Sequence, residues 1–262
     1  MTYEKILRIA MEQSALDLSC QPEDFCSDRN RVVISRTNRL ARKYLELPFF
    51  CQLVTYGNSV VASVSEDIAL FAKEYIDRYG TVRSFETPAV LALDRELQKF
   101  SNRVCFMAQY YLPVPEMIVP VACDLTLRVM DKPDFEKYYL PQFGNAICAE
   151  HSDRDVLAVG AFDGDKLAGL AGASADCDSM WQIGVDVLPE YRGRGIASAI
   201  TSKLAKEIFA LDKVPFYCTA WSNVRSAKNA VKSGFRPAWV ELTAKSEEFV
   251  NQLNGRNDGK SN

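Results

Sequence analysis

The stretch that most constrains this chain runs from Val185 to Ser198, Val-Asp-Val-Leu-Pro-Glu-Tyr-Arg-Gly-Arg-Gly-Ile-Ala-Ser. It opens as a strand. Trp181, Ile183, Val185 and Val187 alternate with Gln182, Gly184 and Asp186, the period of a pleated strand. Pro189 withdraws a backbone donor and stops it. After Gly193 and Gly195 a helical stripe begins, with Ala197, Ile200, Leu204, Ile208 and Leu211 on one face and Ser202, Lys203, Lys206 and Glu207 outside it. A strand, a glycine turn and a helix start together make an anion site. Glycine lets a ligand approach the main chain, and the first helical N–H groups have no acceptor within the helix. With Arg192 and Arg194 adding positive charge, the stretch reads as a pyrophosphate cradle.

The remaining composition narrows the class. The chain has 262 residues, 31 Lys and Arg against 34 Asp and Glu, and a formal net charge of -3. That balance leaves no basic footprint for nucleic acid. Eight cysteines and a single histidine include no Cys-x-x-Cys pair, so a zinc site is not expected and the cysteines read as buried thiols of a reducing, cytoplasmic compartment. No apolar run has signal-peptide or membrane-span length.

In chain order, residues 2–19 read as an amphipathic helix carrying Tyr3, Ile6, Leu7 and Ala10 on one face. A polar loop to Asn30 precedes a short strand at 32–34. The runs 48–56 and 59–65 around Gly57-Asn58 read as a hairpin. Ser65-Glu66-Asp67 caps a helix to Tyr79 ended by Gly80, and a second helix covers 89–100. A strand at 104–112 leads to the stiff connector Leu112-Pro113-Val114-Pro115. Beyond it come a strand at 124–130, a mixed segment at 132–150, and a hairpin of 156–162 and 166–173 around Asp163-Gly164-Asp165. The central strand and helix follow, then a strand at 214–220, a short helix from Asn223 to Ser233 closed by Gly234, a strand at 235–242, and a polar tail disordered from Asn254. The expected class is α/β, a mixed α+β sheet with helices on both faces. The expected domains are 1–115, 116–246 and the tail 247–262.

Order and motifs together resemble the GCN5-related N-acetyltransferase (GNAT) family over roughly 122–244. Arg192-Gly193-Arg194-Gly195-Ile196-Ala197 matches that family's acetyl-CoA loop, preceded by its Val-x-Pro-x-Tyr-Arg phrasing in Val187 to Arg192. The Asn223 helix followed by Gly234-Phe235 matches a second family segment. The resemblance implies a GNAT-like fold in the C-terminal half and acetyl-CoA as co-substrate, with no metal. It assigns the pyrophosphate to Arg192, Gly193, Arg194, Gly195, Ile196, Ala197 and Ser198, the pantetheine amides to the backbone of Val185 and Val187, and the pantetheine arm's far wall to Asn223.

The implied reaction is attack of a neutral amine on the thioester, accelerated largely by positioning, with an acid for the sulfur and a base for the amine. Many family members carry a tyrosine as that acid where this chain has Ala230. Ser226, Tyr217 and Tyr191 are the replacements to consider, and Asp186, Asp178, Glu150 or a water chain could serve as base. The expected catalytic set is Ser226, Tyr217 and Asp186. Cys218 and His151 read as structural, as do the three tryptophans.

The N-terminal α+β half reads either as a degenerate copy of the same fold, with acids where the cradle would be, or as an unrelated cap. Functionally, an N-acetyltransferase acting on a small-molecule or peptide amine stands first. A non-catalytic acyl-CoA-binding regulatory module stands second, because Ala230 donates nothing. A dinucleotide oxidoreductase using Gly193-x-Gly195 stands third, since Ser198 replaces the third glycine of that fingerprint. The acceptor is unassigned, and a homodimer is left open.

Overall fold

A computed structural model describes residues 1–255. In chain order the elements are α1 (Tyr3–Leu18), β1 (Arg31–Ile34), β2 (Cys51–Thr55), β3 (Val60–Val64), α2 (Ala69–Arg83), α3 (Thr87–Gln98), β4 (Asn102–Pro113), β5 (Thr126–Met130), α4 (Lys132–Phe135), β6 (Asp155–Asp163), β7 (Lys166–Ser174), β8 (Met180–Val187), α5 (Ile196–Ala210), β9 (Val214–Ala220), α6 (Val224–Lys232), β10 (Phe235–Ser246) and α7 (Glu247–Gly255). The mixed α/β class follows directly from this order.

The chain forms two compact units. Unit 1 comprises Met1–Gln13, Arg42–Tyr44 and Gln109–Ala238, and unit 2 comprises Ser14–Ala41, Leu45–Ala108 and the residues from Trp239 on. Strands β4 and β10 therefore each give one stretch to either unit.

In unit 1, β5, β6, β7 and β8 form an antiparallel meander, and β8 pairs parallel with β9. Strand β4 neighbours β9 on its other side. Helix α5 covers this sheet, burying Ile196, Ile200, Leu204, Ala205 and Ile208 in one cluster with Val159, Ala171, Ile183 and Tyr217. The observed stripe is rotated from the expected one. Leu211 lies past the helix end at 51% exposure, and Ser202 is buried because residues 118–121 cross that face and Val119 O accepts from Ser202 Oγ at 2.6 Å.

In unit 2, β2 and β3 form the expected hairpin, β1 pairs parallel with β3, and β10 pairs antiparallel with β2. Helices α2 and α3 pack Ile76, Ala89, Leu93 and Leu97 against Leu53, Ala62, Val64 and Leu242. Gly80 (φ 66°) interrupts α2 as its residue type foretold, but the helix resumes to Arg83.

The mixed segment after α4 resolves into short 3₁₀ turns. The polar tail begins as a helix, α7, where disorder was expected from Asn254; the rest of that expectation, 256–262, lies outside the described residues.

Candidate active site

The site is built on a parallel pair of strands that part. Register between β8 and β9 runs from Met180↔Val214 to Gln182↔Phe216, while β8 continues to Val187 and β9 to Ala220. On its other side β8 stays paired with β7 as far as Gly169↔Val187. Past the last β9 register pair, Gly184 to Val187 of β8 are half-buried. A strand edge that leaves its neighbour presents main-chain groups to an extended ligand.

The glycine turn lies at the end of this opening. Pro189–Tyr191 form a 3₁₀ turn, and Gly193 (φ 83°) and Gly195 (φ 80°) both adopt the left-handed region, which an L side chain reaches only at a cost. Gly195 is the N-cap of α5 and brings no side-chain cap. The N–H groups of Ile196, Ala197 and Ser198 therefore head the helix with only its dipole behind them. A Cβ on Gly193 would meet nothing within 4 Å, and one on Gly195 would lie 3.5 Å from Lys232 Nζ. Lys232 is thus a cation beside the cradle that the sequence reading missed, since it stands on α6, far along the chain.

The two cradle arginines have protein partners. Arg192 Nε donates to Val187 O at 3.1 Å, tying the turn to the end of β8. Arg194 pairs with Asp124, both exposed. Ser198 is buried and donates to Asn229 Oδ1 (3.0 Å), and Asn229 Nδ2 donates to Thr201 Oγ1 (3.1 Å). This polar seam fastens α6 to the first turns of α5.

Asn223 is the N-cap of α6, its Oδ1 accepting from Ser226 N at 3.1 Å. Ser226 and Tyr217 come together, their hydroxyls 2.8 Å apart. Burial pushes the Tyr217 phenol above its ordinary value of 10.0, against the opposing pull of hydrogen bonds with Ser226 and Asn229. Ala230 is fully buried in the same cluster as Tyr217 and Phe235. The third hydroxyl considered, Tyr191, instead donates to Asp163 Oδ2 at 3.0 Å.

Asp186 is occupied. Its Oδ2 accepts from Asn145 N (2.8 Å) and Ala146 N (2.9 Å), and its Oδ1 from Asn145 Nδ2 (2.7 Å). The carboxylate clasps the 145–146 turn against the sheet. Two glycines paired across β7 and β8, Gly172↔Gly184, make room for it. A Cβ on Gly184 would stand 1.8 Å from Asn145 O, and one on Gly172 2.1 Å from Ala146 O. Of the other acids considered, Asp178 is exposed. Glu150 is exposed too, its carboxyl held below the ordinary range by a backbone N–H and the Cys148 thiol.

The clasped turn forms one wall of a cavity of about 270 Å³ beside the opening, lined among others by Tyr44, Tyr110, Arg154, Asp176, Gln182 and Cys218. Gln182 Nε2 donates to Cys218 Sγ at 3.1 Å. Among the described residues, no cluster of three or more His, Cys, Asp or Glu is placed to hold a metal, and no helix is long and apolar enough to cross a membrane.

A search of curated proteins found no match. Among solved structures, the chain is similar to a putative GNAT-family acetyltransferase from Novosphingobium aromaticivorans (20% identity, 55% of this chain and 66% of that one, TM-score 0.43). It is also similar to a GCN5-related N-acetyltransferase-like protein from Streptococcus suis (16% identity, 60% and 68%, TM-score 0.45) and to a GNAT acetyltransferase from Colwellia psychrerythraea (14% identity, 70% and 76%, TM-score 0.44). The chain thus spans just under two thirds of the first of these. The family model described as the acetyltransferase (GNAT) family matches residues 125–235, the stretch that carries the parted strands, the glycine turn and the Asn223 helix. Residues 125–235 form a domain of the acetyltransferase (GNAT) family.

Proposed function

We propose that the protein is an N-acetyltransferase that moves the acetyl group of acetyl-CoA to a primary amine by direct attack within a ternary complex. Acyl transfer is the chemistry of the family to which residues 125–235 belong; the acetyl donor, the amine and the mechanism are our reading. One observation carries it. The strands part after Gln182↔Phe216, and the strand that continues ends at a positive-φ glycine turn heading a helix.

The residues present fit a coenzyme A group. The uncapped N–H groups of 196–198, the side-chain-free Gly193 and Gly195, and Lys232 suit a pyrophosphate. The edge of β8 at Val185 and Val187 suits an amide-bearing arm. Bound there, acetyl-CoA would supply an activated thioester. Arg192 holds the turn to Val187 and keeps cradle and strand edge in register, and Arg194 brings positive charge to the rim. Asn223 caps α6 and so fixes Ser226, whose hydroxyl orients that of Tyr217. Tyr217 keeps its proton through neutral pH and is the group suited to protonate a departing sulfur. Asp186 acts by holding the 145–146 turn, which leaves deprotonation of the amine to solvent. Catalysis is assigned to 116–246. The 1–115 stretch lends Met1–Gln13, Arg42–Tyr44 and residues 109–115 to unit 1, and no catalytic role is given to 247–262. We place the reaction in the cytoplasm.

A second reading, a non-catalytic acyl-CoA-binding module, is favoured by Ala230, where no hydroxyl stands. Incubation with acetyl-CoA and a panel of amines, following thiol release, separates the two. Release above background with at least one amine supports the transferase. Saturable CoA binding without release from any acceptor supports the module.

A further inference from the structure

The cavity beside the parted strands contains a cation that the proposed chemistry does not use. Arg154 lies just before β6, its backbone N–H donating to His151 O and its C=O accepting from Ala175 N. Its side chain lines the cavity with Gln182, Gly184 and Cys218, the residues at and just past the point where β8 leaves β9. Its Nε is buried and has no hydrogen-bond partner. A guanidinium N–H buried without an acceptor costs free energy, and no protein group has claimed this side of the guanidinium.

The neighbouring acids do not take it. Asp155 Oδ2 is spent on Tyr139 Oη and on Cys148 N. Asp176 Oδ1 accepts from Ser174 Oγ at 3.2 Å, and Asp176 and Arg154 act on each other through space. The fork of a guanidinium matches a carboxylate, accepting two parallel N–H bonds. At about 270 Å³ the cavity falls just below the ~300–1,000 Å³ of sites for drug-sized ligands, a size for a small molecule.

We propose that Arg154 is the specificity-determining residue of the acceptor site and that the acceptor is a small amino acid, its carboxylate on the Arg154 guanidinium and its amine toward the gap between β8 and β9. This rests on the transferase reading above and names its substrate class.

The test compares an amino acid with its carboxamide and its decarboxylated amine, each with acetyl-CoA, in the wild type, Arg154→Gln and Arg154→Lys. The wild type should prefer the amino acid over both neutralised analogues by about tenfold to a hundredfold in kcat/KM. Arg154→Gln should abolish the preference, mainly through KM, and Arg154→Lys should keep part of it. Equal use of all three acceptors by the wild type, or a preference that survives in Arg154→Gln, overturns the inference while leaving the transferase intact. Calorimetry of the same amino acids with CoA-loaded protein gives a readout without turnover. Binding that is lost in Arg154→Gln, with no thiol release from any acceptor, would uphold the carboxylate site and sink the transferase. Unchanged melting temperatures identify the variants that fold.

Discussion

The hydroxyls of Tyr217 and Ser226 stand 2.8 Å apart, joining β9 to the first turn of α6. Burial raises the Tyr217 pKa above the ordinary phenol value, so the phenol keeps its proton through the neutral range. Tyr217→Phe should lower kcat on the order of a hundredfold, the lower end for a positioned acid, with little change in KM for acetyl-CoA. Ser226→Ala should lower it less, because it removes only the partner. Steady-state kinetics at pH 7–9 reads both, and an unaltered kcat in Tyr217→Phe would return the sulfur's proton to solvent.

The glycine turn can be tested where strain is the sole variable. Gly193 has φ 83° and open space around its missing Cβ. Gly193→Ala should therefore cost about 1–2 kcal/mol of local conformational energy without a clash, and it should weaken CoA binding severalfold in calorimetry. CoA affinity equal to wild type would mean that this turn does not hold the pyrophosphate.

Asp186 and Gly184 act on one structure, the 145–146 turn. If Asp186 is a clasp, Asp186→Asn, which exchanges an acceptor oxygen for a donor opposite two backbone N–H groups, should raise acceptor KM far more than it lowers kcat. A general base would do the reverse and would lose the acidic limb of the kcat profile. Gly184→Ala, whose Cβ would sit 1.8 Å from Asn145 O, should displace the same turn and destabilise the fold by about 1–3 kcal/mol, read by chemical denaturation.

Asp176 gives a pH signature. Burial, opposed by Ser174, Arg154 and Arg42 and aided by Asp155, carries its pKa from 3.8 to about 6. A pKa raised on folding means that the native state holds the proton more tightly. The stabilisation is complete below about pH 4 and is lost as pH rises through about 6. Relative to Asp176→Asn, the wild type should lose at most about 3 kcal/mol across that window. Denaturation curves of both proteins at several pH values measure the difference, and parallel curves would contradict the assignment.

The sequence disclosed the glycine turn, the strand before it and the Asn223 cap, because each rests on local chemistry: proline and glycine punctuation, a two-residue period, a side chain capping the helix that follows it. The parting of β8 from β9 was legible only through the family resemblance, since register is a relation between distant segments. Lys232 beside Gly195, Arg154 in the cavity wall and the triple engagement of Asp186 were beyond reach for the same reason. The Asp186 carboxylate looked like a base at a strand end because nothing near it in sequence reveals that residues 145 and 146 fold onto it. Gly172 and Gly184 allow the close passage of that turn, a purpose that the strand period does not reveal. Likewise Ser202 read as solvent-facing until residues 118–121 were seen to cross it.

Strand β4 runs into the Pro113-Val114-Pro115 connector, yet its last residues belong to unit 1 and it lies beside β9. A fragment cut to the matched stretch, or started at 116, would strip the flank of β9 and expose a row of unsatisfied main-chain groups, an invitation to aggregation. The foldable unit around residues 125–235 is consequently larger than the stretch that matches the family, and residues before the connector share in making that stretch stable.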